Sequence, residues 1–175
     1  MMTDPNLGVD IAVHETLWRS ADGDVETKVS QVLRSALAEV LKAEAFGEKR
    51  TFEVSVVLAD DNFVKSLNLK HRGQDKATNV LSFPSLENVF GDMAQTPADC
   101  PVALGDIVIA YETTALEAKD LGKTLAAHLC HLLVHGMLHL LGYDHKKPCE
   151  AERMEGLEKH ILLALGEADP YEDGN

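Results

Sequence analysis

The sequence predicts an α+β, α/β-layered protein: a small mixed β-sheet covered by about five helices, with a candidate metal site on a central buried helix. Three observations carry that expectation. Segments of alternating apolar residues interleave with segments of helical period along the chain. The 175 residues, 45% of them apolar, suffice for one hydrophobic core. One apolar stretch near the C-terminal end carries four of the eight histidines. A single domain over residues 1–175 is expected, closing in a short acidic tail at about 168–175. Strand order is not readable from the sequence.

Val9–Val13 predicts a short first strand, followed by a polar connection at Ala21–Asp24. Val25, Val29, Val32, Leu33, Ala36, Leu37, Val40 and Leu41 recur at helical spacing, with Asp24 as N-cap and Gly47 as stop. Val54, Val56 and Leu58 alternate as in a strand, and Asp60-Asp61-Asn62 then caps a short helix containing Phe63 and Leu67, ended by Gly73. Asn79–Pro84 predicts a strand stopped by proline, and Leu104–Ala110 another. Between them, residues 85–101 show no sustained period and are expected to form a flexible loop. Glu112–Asp120, Thr124–Leu141 and Glu150–Leu165 complete the helices, the last with Met154, Leu157, Ile161 and Leu165 on one core-facing side.

A net charge of −13 argues against broad, non-specific nucleic-acid binding through the whole surface. One local exception stands out. Lys65, Lys70, Arg72 and Lys76 face a single acid, Asp75, and such a basic island could receive a phosphate backbone; the alternative is an ordinary solvated face. The N-terminus lacks the basic and apolar regions of a signal peptide, and no apolar run approaches a membrane span, so a cytoplasmic protein with no membrane partner is expected. Cys100, Cys130 and Cys149 lack the paired spacing of a thiolate zinc site and read as reduced and non-ligating.

The chemistry concentrates in His131–His145. On a helix His135 and His139, four apart, project from one face and can share one zinc-like ion. Gly142 tolerates positive φ, so the helix can stop there and the chain can bring His145 back over the pair. Three nitrogen ligands leave a fourth position open, the mark of a catalytic rather than a structural site. His131 shares the stripe, but at about 1.5 Å per residue it lies roughly 12 Å along the axis from His139, too far to share an ion. The ligands are therefore taken as His135, His139 and His145. His14, His128, His131 and His160 are read as hydrogen-bonded core histidines.

The spacing His135-x-x-x-His139-x-x-Gly142-x-x-His145 also matches the long zinc signature of metzincin proteases. Their glutamate after the first histidine, the general base, is here Gly136, which can transfer no proton. Asp144 could substitute, or serve only as a turn residue.

His135-Gly-Met-Leu-His-Leu-Leu-Gly-Tyr-Asp-His145 resembles the metal motif of the YbeY family of bacterial endoribonucleases. Arg72-Gly-Gln-Asp-Lys-Ala-Thr-Asn79-Val-Leu-Ser-Phe-Pro84 resembles its second signature, and Gly105-Asp106-Ile107 and Met154-Glu-Gly-Leu-Glu158 resemble further segments in the same order. His71 stands where tyrosine is usual and Ala77 where proline is frequent, which bears on local shape and substrate contacts rather than on the ligands. The resemblance implies a single-strand-specific, zinc-dependent endoribonuclease acting in 16S rRNA 3′-end maturation and ribosome quality control. It implies as partners single-stranded ribosomal RNA and the small ribosomal subunit with its associated proteins, and no DNA.

One zinc per chain is expected, although three imidazoles also bind nickel or another transition metal during purification. His135 and Arg72 take catalytic roles, the arginine stabilising charge on phosphorus. Lys70, Lys76 and Asn79 are candidate RNA contacts; Asn79, Thr78 and Ser82 could contact phosphate, and strand and turn hydrogen bonding explains all three as well. Asp106 either orients a metal histidine or ends a strand, and Asp144 is the other candidate for orientation or proton transfer. Met154 reads as core rather than as a Met-turn. Two alternatives stand beside the nuclease: a metallopeptidase, and a non-catalytic ribosome-associated module with a structural metal.

Overall fold

The computed structural model describes residues 5–47 and 49–171; residues 172–175 of the expected acidic tail lie outside the described residues. Alternating apolar residues form β1 (Asn6–Val13), β2 (Thr51–Ala59), β3 (Val80–Pro84) and β4 (Val102–Ala110). They lie in the order β1-β2-β4-β3, with β1, β2 and β4 mutually parallel and β3 antiparallel along β4. Helices of ten or more residues are α2 (Val25–Ala43), α3 (Asp61–Arg72), α5 (Tyr111–Asp120), α6 (Leu125–Leu140) and α7 (Pro148–Ala164). Two short ones, α1 (Leu17–Asp22) and α4 (Val89–Asp92), raise the described helices to seven, against the five expected.

The large core lies between one face of the sheet and α2, α6 and α7. Leu7, Phe52, Val54, Val56, Leu58, Leu104, Ile107 and Ile109 point into it, as do Val29, Leu33 and Leu37 of α2 and Leu133, Val134 and Met137 of α6. The opposite face is covered at the C-terminal ends of the parallel strands, where Ala59, Val108 and Ala110 pack with Val64 of α3. Strand periodicity of two would put Leu104 and Asp106 on the same face. A bulge between the Glu53 and Val54 pairings inserts one residue of β4, so Ile107 rejoins the core while Asp106 turns outward. Gly105 sits there at φ +132°, so close to β3 that a Cβ would lie 2.1 Å from the Phe83 carbonyl oxygen.

Caps follow the sequence reading, with one exception. Asp24 and Asp60 accept the backbone N–H of Thr27 and Phe63, and Gly73 closes α3 in the left-handed region. Helix α2, however, stops at Ala43 rather than at Gly47. Ala45 takes φ +50° and the Phe46 N–H returns to the Leu41 carbonyl at 2.9 Å, a turn drawn inward by Phe46 packing beside Phe90. Segment 85–101 holds α4 and a single 3-10 turn, Met93–Gln95. Arg50 donates to the carbonyls of Met93, Thr96 and Pro97, while Val89 and Met93 are buried. Elements of one turn leave no period to read.

Candidate metal centre

Helix α6 is apolar on most of its circumference and passes through the middle of the molecule, capped by Thr124, whose hydroxyl accepts the Ala127 N–H at 3.1 Å. Gly136 faces the sheet, where a Cβ would come within 3.1 Å of Ile107 and 3.2 Å of the Ser82 hydroxyl. The remaining stripe, His131, His135 and His139, is half-buried, and His135 and His139 line a cleft. After Leu140 the helix ends in a Schellman turn: the Gly142 N–H returns to the His139 carbonyl (3.1 Å) and the Tyr143 N–H to Leu138 (3.0 Å), with Gly142 at φ +93°. This reversal carries exposed His145 back over the helix. One ring nitrogen from each of His135, His139 and His145 lies within 4.8 Å of the others.

Hydrogen bonding fixes the tautomers of the first two. His139 Nδ1 lies 3.0 Å from the Tyr143 carbonyl, and His135 Nδ1 lies 2.5 Å from a carboxylate oxygen of Glu158. Neither partner can donate, so both Nδ1 atoms carry the proton and both Nε2 atoms present lone pairs. These two Nε2 atoms face each other at 3.0 Å. A cation between them satisfies both, which is the fit that a three-imidazole zinc site requires. Burial, then the neighbouring His135, pushes the His139 pKa down to about 4, keeping it a neutral ligand at neutral pH.

The histidines open into a cleft of about 920 Å³ that Arg72, Asn79, Ser82, Asp144 and Lys146 also line. Arg72, at the end of α3, is exposed beside it. Asn79 donates to Glu117 (2.9 Å) and accepts the Val80 N–H (2.7 Å). Asp144 accepts the His145 N–H (2.8 Å), and its pairing with Lys146 at 2.9 Å holds its carboxyl below the ordinary range. Lys70 and Lys76 are exposed and stand outside the residues that line the cleft.

Asp106 requires correction as a candidate for orienting a metal histidine. The bulge in β4 turns it away from α6, and it lines a separate groove of about 530 Å³ with Asp10 and Glu53 on the far face of the sheet. Two of the four histidines expected in the core also differ. His128 is buried against Glu117 (2.8 Å), but His14 and His160 are exposed, His14 edge-on to Phe63 and His160 paired with Glu39. His131 lies 3.7 Å from Glu158 and is not among the three converging nitrogens.

Glu158 itself escaped the sequence reading as a member of the site. It is 1% exposed on α7, and burial pushes its carboxyl upward, but the contacts from His131, His135 and Tyr171 outweigh this and hold it down at about 2. A readable signal existed: Glu158 is four residues from Met154 and three from Ile161, a charge on the apolar side of its helix.

Comparison with known proteins gives one consistent result. The family model for Endoribonuclease YbeY matches residues 18–166. An Endoribonuclease YbeY of Rhodopseudomonas palustris (strain BisB18) is 52% identical over 166 residues, covering 94% of this chain and 92% of its own. One of Rhizobium meliloti (strain 1021) is 46% identical over 169 residues, covering 95% and 96%. Among solved structures, TM1509 from Thermotoga maritima shares the fold with a TM-score of 0.52 at 24% identity, over 94% of this chain and 99% of that one.

Proposed function

This chain belongs to the Endoribonuclease YbeY family, and on that premise we propose that it is a single-strand-specific, metal-dependent endoribonuclease hydrolysing RNA phosphodiester bonds. One observation carries the reading. Three imidazole nitrogens converge in the same open cleft that Arg72 lines, so a cation and a guanidinium flank the space a phosphodiester would enter. His135, His139 and His145 would hold one zinc per chain, the donor set and neutral ligands suiting that ion. When bound, zinc supplies Lewis-acid polarisation of a phosphoryl oxygen and lowers the pKa of water.

The chain's own residues do the rest. Arg72 makes bidentate contact with phosphate oxygens and neutralises charge that accumulates there during cleavage. Asn79, its amide held by Glu117 and the Val80 N–H, keeps one N–H to direct at the RNA backbone. Lys70 and Lys76 attract the strand from outside the cleft rather than touching the reacting phosphate. Asp144, ionised and beside His145, is one candidate for proton transfer, and the RNA 2′-hydroxyl is another. Gly136 argues for this reading over a metallopeptidase, since at the position of the metzincin base it carries no side chain to take a proton.

The substrate is ribosomal RNA, with 16S 3′-end maturation and ribosome quality control as the setting, the small ribosomal subunit as partner, and the cytoplasm as the place. No helix among the described residues is long and apolar enough to cross a membrane. The test is a substrate panel of single-stranded RNA, duplex RNA, single-stranded DNA and a peptide library. Cleavage of single-stranded RNA, lost in His135→Ala and Arg72→Ala, is expected; cleavage of peptides with RNA left intact would overturn the reading.

A further inference from the structure

Tyr171 and Asp169 lie in the segment that the sequence marks as an acidic tail, yet both are engaged with the body of the protein. Asp169 is 9% exposed; it pairs with Lys159 and accepts the Tyr171 N–H at 2.9 Å. That turn places the Tyr171 hydroxyl on Glu158, donating to Oε2. The other carboxylate oxygen, Oε1, accepts the Nδ1 proton of His135. His131 closes the arrangement, with Nε2 at 3.7 Å from Oε2 and its ring edge-on to the Tyr171 ring.

We propose that Tyr171 and Glu158 form a relay that fixes the orientation and tautomer of His135, making the segment around Tyr171 a working part of the metal centre. The inference rests on the reading of His135, His139 and His145 as metal ligands. A carboxylate has two oxygens and rotates between equivalent acceptors. With Oε2 held by a phenol anchored through Asp169 and Lys159, Oε1 stays on His135. The negative carboxylate keeps the proton on Nδ1, aims the Nε2 lone pair at the ion and raises its basicity. Glu158 and Tyr171 are positioning residues: neither comes to the three converging nitrogens. The same geometry gives His131 its place in the histidine stripe, against Glu158 and Tyr171 rather than as a ligand.

The experiment measures zinc affinity by competition with a chromophoric chelator, and the visible absorption of the cobalt(II) form, for full-length wild type, Glu158→Gln, Tyr171→Phe and His135→Ala. Unfolding of the metal-free proteins checks that each variant is folded. Expected are about 10–100-fold weaker zinc binding in Glu158→Gln, a smaller loss in the same direction in Tyr171→Phe, and a shifted cobalt band in both. Tyr171→Phe removes only the hydroxyl and keeps the proposal testable should Glu158→Gln fail to fold. Wild-type affinity and spectrum in both variants would overturn the relay while leaving the ligands intact. A loss in Glu158→Gln alone would overturn the part given to Tyr171. Wild type that binds no better than His135→Ala would overturn the metal reading and the relay with it.

Discussion

His135 Nε2 and His139 Nε2 face each other at 3.0 Å with both Nδ1 protons already committed, one to Glu158 and one to the Tyr143 carbonyl. Two lone pairs so opposed attract a cation more strongly than they tolerate each other. His139→Ala is therefore expected to lose metal outright, by more than the roughly 10–100-fold cost of removing an outer hydrogen-bond partner. Metal content after dialysis against a weak chelator measures this.

Arg72 touches the cleft but not the converging nitrogens. Arg72→Ala should lower turnover on single-stranded RNA by about 10²–10³-fold while the metal content stays at the wild-type value. Arg72→Lys should recover only part of the loss, because an ammonium cannot reproduce the bidentate fork. Paired measurement of kcat/KM and metal stoichiometry separates this from a ligand defect.

Gly136 is where the metzincin proteases carry their base, and in this fold that position packs on Ile107 and Ser82. A Cβ there gains about 1 kcal/mol of helix propensity. Overpacking costs about 1–3 kcal/mol against it. Gly136→Ala should therefore be less stable in urea unfolding. Gly136→Glu should show no peptide hydrolysis, since its side chain starts against the sheet.

Glu39 of α2 ties two helices, contacting Lys42 and, at 2.9 Å, His160 of α7. The Lys42 ammonium first, with His160, holds its carboxyl below the ordinary value of 4.5. A depressed carboxyl stabilises the fold above the unfolded value and loses that contribution as pH falls through the folded one. Glu39→Gln should thus be less stable than wild type at pH 7, by about 0.5–1 kcal/mol. The difference should vanish well below pH 4.5 in parallel unfolding curves.

Legibility in the sequence followed the length and locality of each feature. Helix α2, with seven buried positions at helical spacing, and α6, with its histidine stripe and Gly142 stop, were readable because periodicity and the turn residue are local. Helices α1 and α4 span six and four residues, too few to show a period, although Trp18 of α1 buries fully and donates to the Ala59 carbonyl. The two roles open to Asp106 could not be separated in the sequence because one inserted residue inverts strand parity, and the bulge that does so is a pairing property of β2 and β4. Glu158 was overlooked for a related reason: it meets His135 across 23 residues of sequence, through the packing of α7 on α6.

The central claim is that the histidine cleft cleaves RNA with the help of a bound metal. Its most direct measurement is the rate at which contaminant-free protein cuts a single-stranded RNA oligonucleotide before metal stripping, after it, and after return of one equivalent of zinc, with His135→Ala and His139→Ala treated alike. Cleavage that disappears on stripping, returns with zinc in wild type and returns in neither variant is the predicted result. Stripped wild type or either variant cutting at the untreated rate would contradict it.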